Sequence, residues 1–280
     1  MEGQNGKESA GQEKRLSEAE LKTCYQHFDP AAYLQYIYTP PRANFDNKDN
    51  IAPWQLGWLH RAFTEGDVKG DILVDIGSGP TLYQVMSGCE RFRRVILSDF
   101  VEANCRELQN WLQGKSNSLD WTPFFQHVCK LEGRSPDAWS EKAQRLRSVV
   151  TDVLPIDVHQ PHPLLPEALP PSGADCLISC YCLESASPDL ASFNRALGHI
   201  SSLLRQGGHL LLIGTLEMTF YYAAPELCIP AVRLDEAQLC SSLKNCGFQL
   251  LELSIYHLPQ DMQKSTDDAK SMFFVKAKKQ

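Results

Sequence analysis

The segment that most constrains the fold of this chain is an apolar run followed by an acid and two closely spaced glycines, Val74-Asp75-Ile76-Gly77-Ser78-Gly79-Pro80. The run predicts a buried strand. The glycines predict a tight turn in which the backbone can approach a ligand without a Cβ in the way. We expect a helix over 81–89. The segment therefore predicts a strand, a turn and a helix, with a ligand crevice at the carboxyl end of a first parallel strand.

The same turn argues against one class of ligand. A dinucleotide-binding fingerprint has a third glycine where this chain has Leu82, so close packing of a pyrophosphate against the helix is not indicated. The pattern Asp-x-Gly-x-Gly is instead similar to the first motif of S-adenosylmethionine-dependent methyltransferases, whose ligand is a nucleoside without phosphate. The motif alone also leaves open a glycine-rich turn with no ligand.

Short apolar segments alternate with helical segments from residue 71 onward, which predicts a parallel sheet with crossover helices. The predicted strands are 71–76, 94–99, 149–154, 174–180 and 208–214, and the predicted helices after the first are 101–113, 140–147, 189–205 and 235–246. Two longer runs, Phe248 to His257 and Ser271 to Lys278, suit an antiparallel pair at one edge. The fold class is α/β, a Rossmann-like, mostly parallel doubly wound sheet with an antiparallel edge strand, which is typical of class I methyltransferases.

The first part of the chain has a different composition. Residues 1–17 are polar and are predicted to be disordered. Residues 18–66 are rich in aromatic side chains, and helices over 18–36 and 53–65 are expected to form an N-terminal helical cap. We expect residues 18–280 to form a single domain that includes this cap.

Composition limits the partners of the chain. The formal net charge is −7 without a basic stripe, which argues against nucleic acid, and no apolar run approaches the length of a membrane span. Ten cysteines without a secretory signal predict reduced thiols and a cytosolic location. His159 and His162 lie in a proline-rich loop without a third ligand, so we expect no metal. We also expect a monomer that acts on a small molecule.

Acidic residues follow three successive predicted strands, where a doubly wound sheet binds its ligand. Asp99 suits the ribose hydroxyls, and capping of the next helix is its alternative role. Asp157 suits the adenine amino group about as well as it suits an Asx turn. Glu184 suits the reacting centre, and its alternative is a charge at a helix start. A carboxylate near an amine can attract the ammonium form and accept its proton.

The stretch Asp75-Ile76-Gly77-Ser78-Gly79-Pro80-Thr81, with Tyr83-Gln84, resembles the signature of the nicotinamide, phenylethanolamine and indolethylamine (thioether) N-methyltransferases. The resemblance covers roughly residues 20–278. Pro40-Pro41-Arg42 and Ser187-Pro188-Asp189-Leu190-Ala191-Ser192-Phe193 make the phenylethanolamine branch the most similar.

The resemblance implies transfer of a methyl group from S-adenosylmethionine to the amine of a phenylethanolamine- or noradrenaline-type arylethylamine, with S-adenosylhomocysteine as product. The alternative within the family is an indolethylamine or broad-specificity amine N-methyltransferase. A fold that binds the cofactor without turnover is the alternative from another class, and Leu82 argues against a nicotinamide-linked reductase.

The resemblance also assigns residues to the two ligands. The implied cofactor shell is Tyr25, Tyr33, Tyr38, Gly77, Ser78, Gly79, Thr81, Tyr83, Asp99, Phe100, Asn104, Asp157, Val158 and Cys180. The implied amine pocket is Arg42, Tyr181, Glu184, Tyr221 and Asp267, with Glu184 and Asp267 as the catalytic carboxylates. Without the resemblance, the tyrosines would be read as core of the cap and Asp267 as a solvated loop acid.

Four positions depart from the pattern of the adrenaline-forming enzymes. Met218 replaces a glutamate near the amine, and Gln55 replaces a lysine at the catechol end. Ile37 replaces an asparagine, and Tyr181 replaces a phenylalanine that stacks on the substrate ring. The cofactor half of the site is therefore expected to be intact, whereas selectivity for noradrenaline is expected to be reduced or altered.

Overall fold

The computed structural model describes residues 16–259 and 266–280. The strands are β1 Gly70–Ile76, β2 Phe92–Asp99, β3 Val150–Pro155, β4 Ala174–Cys180, β5 Leu204–Leu216, β6 Phe220–Ala224, β7 Leu227–Pro230, β8 Phe248–His257 and β9 Ser271–Lys279. Seven of them form one sheet in the order β3-β2-β1-β4-β5-β9-β8, and β6 pairs with β7 in a separate hairpin. Strands β1 to β5 are parallel, whereas β9 is antiparallel to both β5 and β8. The predicted α/β class with an antiparallel edge is confirmed.

Helices cover both faces of the sheet because successive strand residues point to opposite sides. The helices are α1 Glu18–Cys24, α2 Pro30–Ile37, α3 Ile51–Thr64, α4 Glu102–Leu112, α5 Thr122–Leu131, α6 Trp139–Val149, α7 Leu183–Ala186, α8 Leu190–Ser201 and α9 Glu236–Asn245. Leu73 of β1 belongs to a core with α3 to α6. Its neighbour Val74 belongs to a core with α8 and α9. The central strands are therefore buried on both faces, which explains their continuous apolar runs.

The helix predicted over 81–89 is wrong. Two short 3-10 turns, Tyr83–Val85 and Gly88–Glu90, occupy the segment. The Gln84 amide nitrogen donates to Asp75 at 2.7 Å, to the Ser78 carbonyl at 3.1 Å and to the Thr81 carbonyl at 3.2 Å. These side-chain bonds fasten the segment to the glycine turn in place of a regular helical ladder.

The predicted helix over 18–36 is two helices rather than one. A 3-10 turn follows α1, and Asp29 caps α2 with Pro30 at its first turn, a combination that starts a new helix. Ser17 caps α1 through a capping box and is thus part of the fold. The rest of the predicted disordered tail, except residue 16, lies outside the described residues.

Two elements near the site were not predicted. Helix α5 places the Phe124 ring 6.0 Å from the ring centroid of Tyr38. The β6–β7 hairpin carries Tyr221, which forms an isolated bridge with Asp267. Among the helices of the described residues, none is long and apolar enough to cross a membrane.

Candidate functional site

Two adjoining clefts open at the carboxyl ends of the parallel strands, where the topology predicts a ligand site. The first cleft encloses about 820 Å³ and the second about 580 Å³, both counted out to their open mouths. The side chains that line both clefts are Tyr33, Tyr38, Tyr181, Ser185 and Tyr221. Two ligands bound side by side would therefore meet between these five residues.

The glycine turn forms the floor of the first cleft. Gly77 and Gly79 both have positive φ, at +68° and +59°. A Cβ on Gly77 would lie 2.2 Å from the Cys182 sulfur, so the turn requires glycine for space as well as for backbone conformation. Asp75 is fully buried beneath the turn, where burial raises its pKa to about 7. Asp75 therefore braces the turn and does not line either cleft.

Asp99 ends β2 and holds the turn from the other side. Its carboxylate accepts the Gly79 N–H at 2.7 Å, the Val101 N–H at 2.8 Å and the Asn104 amide at 3.0 Å. Burial raises the pKa of Asp99. A carboxylate has about four acceptor positions, so one remains for a ligand hydroxyl. The N-cap of α4 is Val101, so Asp99 does not have the capping position considered for it. Its carboxylate instead holds the glycine turn through Gly79.

Asn104 supplies an unused acceptor in the same place. Its side-chain oxygen is buried and has no hydrogen-bond partner among the described residues. A buried polar atom without a partner is costly unless a ligand or water satisfies it. The free oxygen of Asn104 and the spare position on Asp99 thus suit a pair of hydroxyls such as those of a ribose.

Phe100, Asp157 and Lys22 lie together in the lining of the first cleft. The Phe100 ring is 47% exposed, which is unusual for an aromatic side chain at the end of a buried strand. Asp157 accepts the His159 N–H at 3.1 Å, as in the Asx turn considered for it, and also accepts Lys22 Nζ at 2.6 Å. Burial acts to raise the pKa of Asp157, but the bonds from Lys22 and its neighbours lower it below its ordinary value.

Tyrosines from the cap cover the clefts. The Tyr25 hydroxyl donates to the Ser185 carbonyl at 2.9 Å, and the Tyr221 hydroxyl donates to Tyr25 at 3.3 Å. Burial raises the pKa of Tyr33 to about 12. Tyr83 does not line either cleft: its ring packs 5.5 Å from that of Tyr38, beneath the surface. The other members of the implied cofactor shell all line the first cleft.

The second cleft contains a buried ion pair. Arg42 and Asp267 approach to 2.7 Å, with side chains 9% and 5% exposed. Asp267 also accepts the Ala269 N–H at 3.1 Å. It is thus a buried acid and not the solvated loop acid that its sequence context alone suggested.

Tyr181 lies between the clefts in a strained conformation. Its φ of +55° is in the left-handed region, which few non-glycine residues adopt. Its hydroxyl donates to the Gln55 side-chain oxygen at 3.0 Å. This contact places the tyrosine ring across the wall of the second cleft.

Glu184 is buried just behind the second cleft and lines neither cleft. Its carboxylate accepts the Thr215 N–H at 3.0 Å, and Thr215 itself lines the second cleft. Burial raises the pKa of Glu184 to about 7. The Glu184 carboxyl can therefore gain or lose a proton near neutral pH, and Thr215 separates it from the second cleft.

Several lining residues were missed by sequence reasoning. Lys22 and Ser185 line the first cleft, and Thr215 and Met272 line the second. The position of Ser185 directly after Glu184 was an available signal, whereas Lys22 gave none. Ile37, Gln55 and Met218, the departures noted above, all line the second cleft. Within the described ranges, no group of three or more His, Cys, Asp or Glu side chains could hold a metal ion.

Comparisons with known proteins agree with this geometry. Residues 17–280 match the profile of the NNMT/PNMT/TEMT family. Phenylethanolamine N-methyltransferase of Sus scrofa is 43% identical over 277 residues, which covers 99% of this chain and 97% of that protein. Indolethylamine N-methyltransferase of Oryctolagus cuniculus is 36% identical over 254 residues, covering 91% of this chain and 94% of that protein.

A solved structure shares the fold. Magnesium protoporphyrin IX methyltransferase from Synechocystis PCC 6803, with bound SAM, superposes with a TM-score of 0.54 at 15% identity. The match covers 98% of this chain and 100% of that one. At this identity the likeness concerns the fold alone.

Proposed function

Because the chain belongs to the NNMT/PNMT/TEMT family, we propose that it transfers a methyl group from S-adenosylmethionine to the amine of a phenylethanolamine- or noradrenaline-type arylethylamine, releasing S-adenosylhomocysteine. The observation that carries the proposal is the pair of clefts that meet at Tyr33, Tyr38, Tyr181, Ser185 and Tyr221. Methyl transfer is a displacement that needs nucleophile, carbon and sulfur in line, which is mainly a matter of positioning. Two clefts that share one junction provide such positioning.

The first cleft fits S-adenosylmethionine. The cofactor supplies an electrophilic methyl group on a sulfonium sulfur. The two glycines of the turn carry no side chains, so the cofactor can lie close to the backbone there. Asp99 and Asn104 have unused acceptor positions for the ribose hydroxyls. Asp157 has carboxylate lone pairs for the adenine amino group.

The second cleft fits the amine. Aromatic faces of Tyr33, Tyr181 and Tyr221 favour a cation at the junction. Their hydroxyls stay protonated at neutral pH, because burial raises the pKa of Tyr33 to about 12 and raises the pKa of Tyr181 and Tyr221 well above 10. The carboxylate of Asp267 lines the second cleft and that of Glu184 is buried behind Thr215, and both would favour the positive charge that the amine carries in the transition state. Glu184, with its pKa raised to about 7, is the group suited to take up the amine proton through water or through the Thr215 hydroxyl, which lies 3.5 Å from its carboxylate.

The lining of the second cleft also favours the alternative substrate, an indolethylamine or a broader range of amines. Ile37, Met218 and Met272 give it an apolar wall, and methionine adapts to ligands of different shape. The proposal further includes one domain over 18–280, a monomeric state and a cytosolic location, the last supported by ten cysteines that are all free thiols.

The test is a methyl-transfer assay with labelled S-adenosylmethionine and five acceptors: phenylethanolamine, noradrenaline, phenylethylamine, tryptamine and nicotinamide. We expect the two β-hydroxylated amines to have the highest kcat/KM, with N-methylated products identified by mass spectrometry. A preference for tryptamine would replace the proposal by the indolethylamine alternative. Cofactor binding without turnover of any acceptor would contradict both.

A second measurement uses the site variant Asp267→Asn, which keeps the size of the side chain. It is expected to lower turnover while S-adenosylhomocysteine binding, measured by calorimetry, stays unchanged, because Asp267 lines only the second cleft.

A further inference from the structure

Lys22 of α1 lines the first cleft beside Asp157, the residue proposed above for the adenine amino group, and has no assigned role in the site. We propose that Lys22 is a further cofactor-binding residue, which donates a hydrogen bond to a ring nitrogen of the adenine base while Asp157 accepts the neighbouring amino group. The inference rests on the proposed use of S-adenosylmethionine.

The first argument is the position of the ammonium group. Lys22 Nζ lies 2.6 Å from Asp157 Oδ2 and 5.5 Å from the centroid of the Phe100 ring. All three side chains line the first cleft. A donor, an acceptor and an apolar ring face thus surround the same space at one end of the cleft.

The second argument is the chemistry of the base. The amino group of adenine is a donor, and it is flanked by two acceptors, N1 and N7. A carboxylate beside an ammonium presents the complementary pair, an acceptor next to a donor. The exposed Phe100 ring offers a face for the base to stack on. Asp157 alone can form a hydrogen bond only with the amino group, whereas Asp157 and Lys22 together can also form one with a ring nitrogen.

The third argument is that α1 is fixed in place by other contacts. Glu18 accepts Arg195 at 2.6 Å and lies 3.5 Å from the His159 ring nitrogen, and Tyr25 bonds to Ser185 at the carboxyl end of the helix. Lys22 is therefore not needed to hold α1 against the protein, and its ammonium is held at the rim of the cleft by Asp157. Its apolar stem covers surface while its charged end remains at the opening.

The experiment measures the Kd of S-adenosylhomocysteine by calorimetry, without an amine, for the parent and for three variants. Lys22→Met keeps the length of the side chain and removes the charge, and Lys22→Arg keeps the charge. Glu18→Gln is the matched control, because it weakens the contacts of α1 with Arg195 and His159 but leaves Lys22 intact. We expect about a tenfold weaker Kd for Lys22→Met, since one partly exposed charged hydrogen bond is lost, and a change below threefold for Lys22→Arg and Glu18→Gln.

Deaza analogues of S-adenosylhomocysteine identify the atom that Lys22 contacts. One analogue carries a C–H in place of N1 and the other in place of N7. With one of the two, the parent and Lys22→Met should bind equally, because the acceptor is already absent. If Lys22→Met remains about tenfold weaker with both, Lys22 does not contact a ring nitrogen and the inference is wrong.

Three further outcomes would overturn the inference. Equal weakening by Lys22→Met and Glu18→Gln would mean that both residues only hold α1 in place. If the parent binds S-adenosylhomocysteine and Lys22→Met binds it equally well, Lys22 does not contact the cofactor. The proposed function would not be affected by that result. A parent that fails to bind S-adenosylhomocysteine would refute both.

Discussion

Removal of Arg42 should destabilise the whole protein because its partner is buried. The Arg42–Asp267 pair is 2.7 Å apart, and both side chains are at least nine-tenths buried. Truncating one member of such a pair leaves an uncompensated charge, at a cost of about 3–5 kcal/mol. Asp267 keeps one backbone hydrogen bond from Ala269, so we expect Arg42→Met to fall at the lower end, about 3 kcal/mol. For a domain of this size that corresponds to a Tm lower by roughly 6–12 °C.

The assay is a double-mutant cycle by urea denaturation with Arg42→Met, Asp267→Asn and the double variant. The double variant is expected to be more stable than Arg42→Met, since it no longer buries a lone charge. Arg61→Met is the matched control. The two side chains of its ion pair with Glu65 are 50% and 65% exposed, so its loss should change the unfolding free energy far less than the loss of Arg42 does. Equal effects of Arg42→Met and Arg61→Met would refute the reasoning from burial.

Three other changes test the site. Burial raises the pKa of Glu184 to about 7, so the folded state favours its protonated form. As the pH rises from 4.5 to 7, the unfolding free energy of the parent should therefore fall by up to about 3 kcal/mol relative to that of Glu184→Gln. Urea denaturation at each pH measures this, and a difference that does not depend on pH would contradict it. Gly77→Ala should lower the Tm more than Gly79→Ala, because both have positive φ but only the first places a Cβ 2.2 Å from the Cys182 sulfur. Met218→Glu should raise kcat/KM for β-hydroxylated amines relative to tryptamine by about tenfold, the effect of one charged hydrogen bond, and an unchanged ratio would show that this position does not set selectivity.

The sheet could be predicted from the sequence because its central strands are buried on both faces. Continuous apolar runs such as Ile72 to Val74 indicate this burial directly. The helix over 81–89 was expected because a helix usually follows such a glycine turn, but here bonds from one side chain, Gln84, hold the segment to that turn. Such tertiary bonds leave no periodic pattern in the sequence.

The candidate site could be located but not completed. The strand-end acids Asp99 and Asp157 lie at one edge of the sheet because the strands are parallel, and chain order alone indicates that. The direction of a side chain is harder to predict: Tyr83 points into the core and Glu184 points behind Thr215. Lys22 was missed because it contacts Asp157 across 135 positions of sequence, and no local pattern encodes that contact.

The position of β9 has a consequence for how the site is assembled. This strand follows β8 in the chain yet lies between β5 and β8, and it carries Met272 into the second cleft. Strand β9 pairs with its chain neighbour β8, but its pairing with β5 has a high sequence separation and should form more slowly, so the edge of β5 stays unpaired until β9 has been synthesised. A chain shortened before Asp267 would therefore lose an inner strand of the sheet and one wall of the second cleft together. Completion of the substrate half of the site and completion of the sheet are thus one folding event.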